Sequence, residues 1–403
     1  MAWQSQFHGC CLARMGLFIE AAAQTQWITA MTRTQIHKLL SPAPGTQREL
    51  VSLHYGKTGA GPKIYIQASL HADELPGMLV AHHLRNRLDE LEQSGRITGE
   101  IVLVPMANPI GLAQHMLHSP LGRFELTSGQ NFNRHYPDQI DAVARAIEPE
   151  LTQDAAHNVA VLRRALKKAV GESKVETELQ SLRRTLLTLS CDADVALDLH
   201  CDAQAVLHLY TETPCWPQCE PLARYLGSRV NLLAQDSGDN PFDEACSQVW
   251  WKWARHFGER FPIPQACLAV TVELRGFVDV DHEIASADAQ NIIDYLSWRG
   301  AIAGDVRPMP RAVGEARPLA GSMPIHAPTA GLLVFLRKAG ETVKAGDALA
   351  HVIDPITNAV TELSSPVDGL LYARDNLRFA TAGMRVAKVA GKNAVRSGKL
   401  LGF

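Results

Sequence analysis

Residues 69–77 read SLHADELPG and decide the fold, because they join an apolar run to a helical pattern. The run before them, KIYIQA at 63–68, is typical of a buried strand, and residues 77–95 carry apolar side chains at helical spacing up to Gly95. The next run, GEIVLV at 99–104, predicts a second strand. A strand, a helix and a strand in this order predict two parallel strands joined by a crossover.

The same alternation continues to about residue 299 and predicts an α/β domain, with a mostly parallel or mixed sheet flanked by helices. Strands are predicted from DVALDLHCD, AVLHLYTET and CLAVTVELRG, and helices from residues 154–190, 242–258 and 279–300. We therefore divide the chain into an N-terminal extension at 1–45, a catalytic domain at 46–304, a linker at 305–324 rich in Pro, Gly and Arg, and a small all-β domain at 325–403.

Composition indicates a globular protein without an electrostatic footprint for nucleic acid. The chain has 403 residues, 46% of them hydrophobic, and a formal net charge of −3. Because it lacks an apolar run of about 18 residues, we expect no membrane span. The eight Cys lack the spacing of a disulfide framework or a zinc site, so we expect free thiols and a cytoplasmic location. The first 30 residues make a poor signal peptide, and Met31 is an alternative native start.

Polar side chains at predicted strand ends indicate a metal site, because sites in α/β sheets form at the carboxyl ends of strands. Catalytic zinc takes three protein ligands, often a short-spaced pair and a distant third. His71 and Glu74 form the pair, and His200 in DVALDLHCD is the candidate third ligand. A ligating imidazole usually donates its other N–H to a carboxylate, for which Asp198 and Asp202 are both candidates.

Four motifs in a fixed order resemble the succinylglutamate desuccinylase/aspartoacylase family of the zinc carboxypeptidase fold group: HADE at 71–74, NR at 133–134, LDLHCD around His200, and ELR at 273–275. The resemblance covers about residues 50–300. It implies one Zn2+ per chain and a zinc-bound water that attacks an amide carbonyl.

The resemblance also assigns roles to the remaining motif residues. Glu273 would carry the proton from water to the leaving nitrogen. Asn133 and Arg134 would hold a substrate carboxylate, and Arg123 would neutralise the oxygen of the carbonyl during attack. Arg275 is a further substrate-binding candidate, and its alternative role is a buried ion pair with Glu273.

The C-terminal segment from residue 325 resembles a barrel-sandwich domain of the lipoyl/biotinyl type. In carriers of that type a lysine precedes the SP dipeptide by seven residues, and here Asn358 stands at that position. Because Asn cannot form the tethering amide, we expect an accessory domain that covers the site entrance or mediates assembly into a homo-oligomer.

The leading hypothesis for function is a zinc-dependent amidohydrolase that removes an acyl group from an N-acyl amino acid or a similar small amide with a carboxylate. A metallocarboxypeptidase that releases a C-terminal residue from a peptide is the alternative, and the ELR triplet favours it. A non-catalytic binding protein on the same fold is the alternative from another class. The complete set of His71, Glu74, His200 and Glu273 argues against that last reading.

Overall fold

The structure is a computed structural model that describes residues 33–401. The expectations about residues 1–30 lie outside the described part of the chain. The described residues form eight α-helices: α1 (Pro76–Gln93), α2 (Pro109–Leu112), α3 (Ile140–Ile147), α4 (Ala155–Glu172), α5 (Glu178–Ser190), α6 (Trp216–Leu226), α7 (Phe242–Phe257) and α8 (His282–Trp298).

A nine-stranded mixed sheet forms the centre of the molecule. Its strands are β1 (Thr34–Lys38), β2 (Glu49–Gly56), β3 (Lys63–Ala68), β4 (Glu100–Val104), β7 (Val195–Asp202), β9 (His208–Glu212), β10 (Val230–Ala234), β11 (Leu268–Gly276) and β12 (Glu315–Pro318). They lie in the order β1-β2-β4-β3-β7-β11-β9-β10-β12, and the four central strands β4, β3, β7 and β11 are parallel. The predicted α/β fold with a mixed sheet is confirmed.

Helices cover both faces of this sheet. One apolar core contains residues of α3, α4, α5 and α7, and the other contains residues of α1, α6 and α8. The central strands are therefore buried on both sides, which explains why their sequences are almost continuously apolar. A polar residue in such a strand needs a specific partner, and the polar residues of β7 and β11 lie around the candidate site.

The C-terminal region is rich in strands and packs against the large sheet. Its strands are β13 (Ser322–His326), β14 (Gly331–Phe335), β15 (Thr342–Val343), β16 (Ala348–Ile353), β17 (Val360–Ser364), β18 (Gly369–Arg374), β19 (Phe379–Ala380) and β20 (Arg385–Gly391). They form two small sheets, in the orders β13-β20-β18-β15 and β17-β16-β14-β19. Asn358, at the position where a carrier would have its lysine, lies just before β17 with a left-handed backbone.

Two short strands modify the predicted division of the chain. The predicted linker contains β12, which pairs with β10 at the edge of the large sheet. The strand β8 (Gln204–Ala205), two residues after β7, pairs with β18 of the C-terminal region. The chain that carries His200 thus continues directly into the contact with the C-terminal region. A hairpin of β5 (His115–Met116) and β6 (Ser119–Pro120) lies outside these three sheets.

Candidate metal and catalytic site

The turn that follows β3 brings His71 and Glu74 to the same point. Ser69 adopts a left-handed backbone at φ 59° and its hydroxyl donates to the carbonyl of Glu74 at 2.9 Å. The Glu74 N–H donates to the carbonyl of His71 at 3.1 Å, which closes the turn. Asn108, the N-cap residue of α2, donates to the carbonyl of Leu70 at 2.8 Å and supports the same turn from the loop after β4.

Pro76 and Gly77 determine how the chain leaves this turn. Pro76 is the first residue of α1, a position where a missing N–H costs no hydrogen bond. A Cβ at Gly77 would lie 2.9 Å from the carbonyl oxygen of Leu199, the residue before His200. Glycine therefore lets α1 approach β7 closely enough for His200 to meet the two residues of the turn.

His71, Glu74 and His200 form a buried group of metal-ligating side chains. Their ligand atoms lie within 4.8 Å of one another. The two oxygens of Glu74 each face one imidazole: Oε1 is 2.9 Å from Nδ1 of His71, and Oε2 is 2.8 Å from Nδ1 of His200. Two imidazoles and one carboxylate, each almost fully buried, match the ligand types of catalytic zinc sites.

The outer nitrogen of each histidine is held by a second side chain. His200 Nε2 donates to Asp198 Oδ2 at 2.8 Å, so of the two predicted acceptors the structure brings Asp198 to this histidine. His71 Nε2 lies 2.9 Å from Oδ1 of Asn131, which also accepts from the N–H of Asn133 at 2.8 Å. Because Oδ1 is thereby fixed as an acceptor, Nε2 of His71 carries the proton and Nδ1 presents a lone pair to the site.

The pKa values of the two histidines are shifted in opposite directions. Burial, followed by the charge of Arg123, lowers the pKa of His71 to about 4, so this imidazole is neutral. Burial opposes the charged form of His200, but Asp198 and Glu74 together raise its pKa well above the ordinary value. A metal ion at Nδ1 of His200 would therefore have to displace a proton.

Glu273 lies opposite these residues, on β11. It pairs in register with His200 of β7 and lines the same cavity of about 220 Å³. Its Oε2 is buried without a hydrogen-bond partner in the described part of the chain. Burial, together with the negative charge of Glu74, raises the pKa of Glu273 to about 8. A carboxylate with a free oxygen and a raised pKa has the properties of a general base or acid.

The predicted arginines differ in position. Arg123 Nη1 lies 3.1 Å from Glu74 Oε1 and 3.2 Å from His71 Nδ1, and Arg134 lines the same cavity. Asn133 also lines the cavity, but its Oδ1 accepts from the N–H of Phe242 at 2.8 Å. Asn133 therefore also joins this loop to the first residue of α7.

Arg275 is not brought to the cavity. Strand alternation places it on the same side as Glu273, but the β7–β11 register shifts between Glu273 and Gly276, and Arg275 has a left-handed backbone at φ 64°. Its guanidinium forms an ion pair with Asp288 of α8 instead. The structure thus gives no support to its predicted role in substrate binding, and also none to the alternative pair with Glu273.

The comparisons with known proteins agree with this geometry. Residues 60–299 match the family model of the succinylglutamate desuccinylase/aspartoacylase catalytic domain. The chain belongs to this family. None of the curated proteins matches it.

Solved structures of the succinylglutamate desuccinylase/aspartoacylase family are similar over most of the chain. A protein of this family from Shewanella amazonensis is 29% identical, with a TM-score of 0.79, over 89% of this chain and 98% of its own. One from Shewanella frigidimarina is 26% identical, with a TM-score of 0.78, over 89% and 96%. A third, from Rhodobacter sphaeroides, is 18% identical with a TM-score of 0.61, over 90% and 96%, and shows the fold alone.

The sequence alone did not indicate several residues that surround the candidate site. Asn131 orients His71, and Arg183 of α5 holds Asn131 through its carbonyl at 2.8 Å. Asp243 of α7 lines the cavity, as do Arg385 and Lys388 of the C-terminal region. The NxNR spacing could have suggested Asn131, but the others lie far away in sequence and have no local signal.

Proposed function

We propose that the protein is a zinc-dependent amidohydrolase that removes the acyl group from an N-acyl amino acid or a related small amide bearing a carboxylate. The observation that carries the proposal is the convergence of His71, Glu74 and His200 with Glu273 in one cavity. Membership of the family supports a deacylase. We also propose a cytoplasmic location, because the six described cysteines are free and buried.

His71, Glu74 and His200 are the residues that would hold the ion. Zinc, when bound, polarises the substrate carbonyl and lowers the pKa of a coordinated water to about 7. With Glu74 engaged as a ligand, its charge no longer raises the pKa of Glu273 to the same extent. Glu273 is then able to accept a proton from the attacking water and deliver it to the leaving nitrogen.

The arginines bind and polarise the substrate in this proposal. Arg134 is 9% exposed and lines the cavity, where a guanidinium matches a carboxylate with two parallel hydrogen bonds. Arg123, whose Nη1 is 3.1 Å from Glu74 Oε1, would neutralise the negative charge that develops on the carbonyl oxygen during attack. Both assignments predict a substrate that carries a carboxylate near the scissile amide.

The size of the cavity favours a small amide over a peptide. Its volume of about 220 Å³ is below the range of about 300–1,000 Å³ that accommodates drug-sized ligands. The carboxypeptidase alternative rested on the ELR triplet, and Arg275 of that triplet pairs with Asp288 outside the cavity. The deacylase is therefore the function that the geometry supports best.

The test combines metal content with release of free amine from N-acyl amino acids and from short peptides with free or amidated C-termini. We expect stoichiometric zinc in the wild type and its loss in His71→Ala. Amine release should be metal-dependent and restricted to acyl amino acids. Release only from peptides with a free C-terminus would replace the deacylase by a carboxypeptidase, and a protein that takes up no zinc would contradict both.

A further inference from the structure

Three histidine rings meet at the surface where α1 and α8 pack together, outside the candidate catalytic cavity. His82 and His83 follow each other in α1, and His282 is the first residue of α8. The ring centroids are 5.3 Å apart for His82 and His83, 5.3 Å for His83 and His282, and 6.5 Å for the remaining pair. The rings of His71 and His200, in the candidate metal site, are 4.9 Å apart. The surface histidines thus approach the ring spacing of the buried pair.

Two nitrogens of this cluster face each other across the helix pair. Nε2 of His83 lies 3.1 Å from Nδ1 of His282. Nitrogens bound to one zinc ion at about 2.0–2.1 Å lie about 2.9–3.4 Å apart. Without an ion the same contact is a hydrogen bond between one protonated and one unprotonated nitrogen. The two nitrogens can therefore bind one ion after the loss of a single proton, without movement of the backbone.

Arg87 fixes the distance between the two helices one turn further along. Its Nη2 donates to Oγ of Ser286 at 2.9 Å and to the carbonyl of the same residue at 3.1 Å, and its Nε donates to Oε1 of Gln290 at 3.1 Å. Arg87 and Ser286 each stand four residues after a histidine of the facing pair, so they lie on the same faces of α1 and α8. The histidine pair is therefore held on two rigid, packed elements, which lowers the cost of ordering it around an ion.

Solvent access and protonation at the cluster suit a metal ion. His82 and His282 are exposed and His83 is partly buried, so an ion can reach the nitrogens and keep water ligands. Burial, followed by the charges of the two neighbouring histidines and of Arg87, lowers the pKa of His83, which favours the unprotonated ring. Among the described residues, only the candidate catalytic group brings three ligand atoms within 4.8 Å of one another. His82 therefore has to turn its exposed ring to become a third ligand.

We propose that His83 and His282, with His82 as the third ligand, bind a late first-row divalent cation such as Cu2+, Ni2+ or Zn2+. Imidazole suits these ions, whereas Mg2+ and Ca2+ prefer oxygen ligands. His83 stands seven residues after Pro76, about 10 Å along α1, so this site is separate from the cavity at the start of the helix. A bound ion would link α1 to α8 and stabilise their packing. This inference does not depend on the proposed function.

The test titrates the zinc-loaded protein with Cu2+ by calorimetry and records the electron paramagnetic resonance spectrum of the product. The wild type should keep its zinc and bind one further equivalent of Cu2+, with coupling to imidazole nitrogens in the spectrum. His83→Gln and His282→Gln should each weaken this binding at least ~10-fold, because loss of a direct ligand costs no less than loss of an outer partner. His157→Gln is the matched control. It removes an exposed histidine of α4 that contacts the carbonyl of Glu150, and its copper binding should equal that of the wild type.

Thermal unfolding and zinc content separate this inference from the proposed function. Cu2+ should raise the Tm of the wild type but not of His83→Gln or His282→Gln, because an ion that binds only the folded state stabilises it. Zinc content and amine release should be the same in both variants as in the wild type, since neither histidine lines the cavity. Whatever the amidase assay shows, equal copper affinity in the wild type and both variants would overturn the inference. A wild type that binds no further Cu2+, or a spectrum without nitrogen coupling, would overturn it as well.

Discussion

Replacing Asp198 by Asn is expected to weaken zinc binding by removing one negative charge from behind His200. Asp198 is completely buried and accepts from His200 Nε2 at 2.8 Å and from Gln67 Nε2 at 2.9 Å. An Asn side chain has the same shape and can still accept from His200. Its amide nitrogen then faces Gln67, which can rotate its own amide because the Tyr65 hydroxyl, now donating to Gln67 at 2.8 Å, can also accept.

The substitution thus keeps the hydrogen bonds and removes the charge. Loss of such a partner typically weakens metal binding by about 10–100-fold, which corresponds to about 1.4–2.8 kcal/mol. The loss should increase with pH. Asp198 helps to raise the pKa of His200 against the effect of burial, so at low pH a proton on His200 competes with zinc more strongly in the wild type than in Asp198→Asn. This competition offsets part of the wild type's advantage at low pH but not at high pH.

The assay is a zinc titration against a chromophoric chelator at pH 6 and pH 8, with thermal unfolding as a check on folding. Asp194→Asn is the matched control, because Asp194 precedes β7 at its other end and pairs with Arg163. Its zinc affinity should equal that of the wild type. A folded Asp198→Asn protein whose zinc affinity stays within about threefold of the wild type at both pH values would refute the reasoning.

Three further predictions concern the base, the turn and the contact with the C-terminal region. Glu273→Gln should retain zinc and lose about 10²–10⁴-fold in kcat, and kcat near the wild-type value would exclude Glu273 as the base. Gly122→Ala should lower the free energy of unfolding by about 1–3 kcal/mol and weaken zinc binding, because a Cβ there would lie 2.2 Å from the N–H nitrogen of Asp73; unchanged unfolding and zinc titrations would contradict this. Although burial raises the pKa of Asp202, the charge of Lys388 lowers it to about 2. This pair should therefore stabilise the fold by about 2 kcal/mol above pH 4. The stabilisation should disappear as the pH falls from about 4 to about 2. Urea unfolding of wild type and Lys388→Met across this range measures the difference, and a difference that persists at pH 2 would contradict the assignment.

The grouping of the candidate metal ligands could be predicted from sequence because it depends on local rules. A buried strand ends, a turn follows, and His71 and Glu74 stand where parallel strands place their functional groups. His200 and Glu273 obey the same rule on β7 and β11. The order of the four motifs indicated that these residues belong to one site, because four matches in a fixed order are far more specific than one.

Other features depended on contacts that sequence spacing does not encode. Alternation along β11 puts Arg275 in the cavity, but a bulge with a left-handed residue redirects its side chain to α8. The basic residues Arg385 and Lys388 lie far from His200 in the sequence. They reach the cavity only because the C-terminal region packs against the large sheet. The strand β12 lies in a segment rich in Pro and Gly that the sequence indicates as a linker. It pairs only with β10, at the edge of the large sheet, so its sequence lacks the apolar pattern of a central strand.

The late position of β20 in the chain has a consequence for the order in which the protein matures on the ribosome. All strands of the large sheet have been synthesised once β12 ends at Pro318, whereas Lys388 follows about 70 residues later. At about 5–20 residues per second, translation needs about 4–14 s for that interval. During this time the candidate metal ligands are present while the wall formed by β20 is missing, so the nascent chain offers a metal ion a wider path to His71, Glu74 and His200 than the finished protein does.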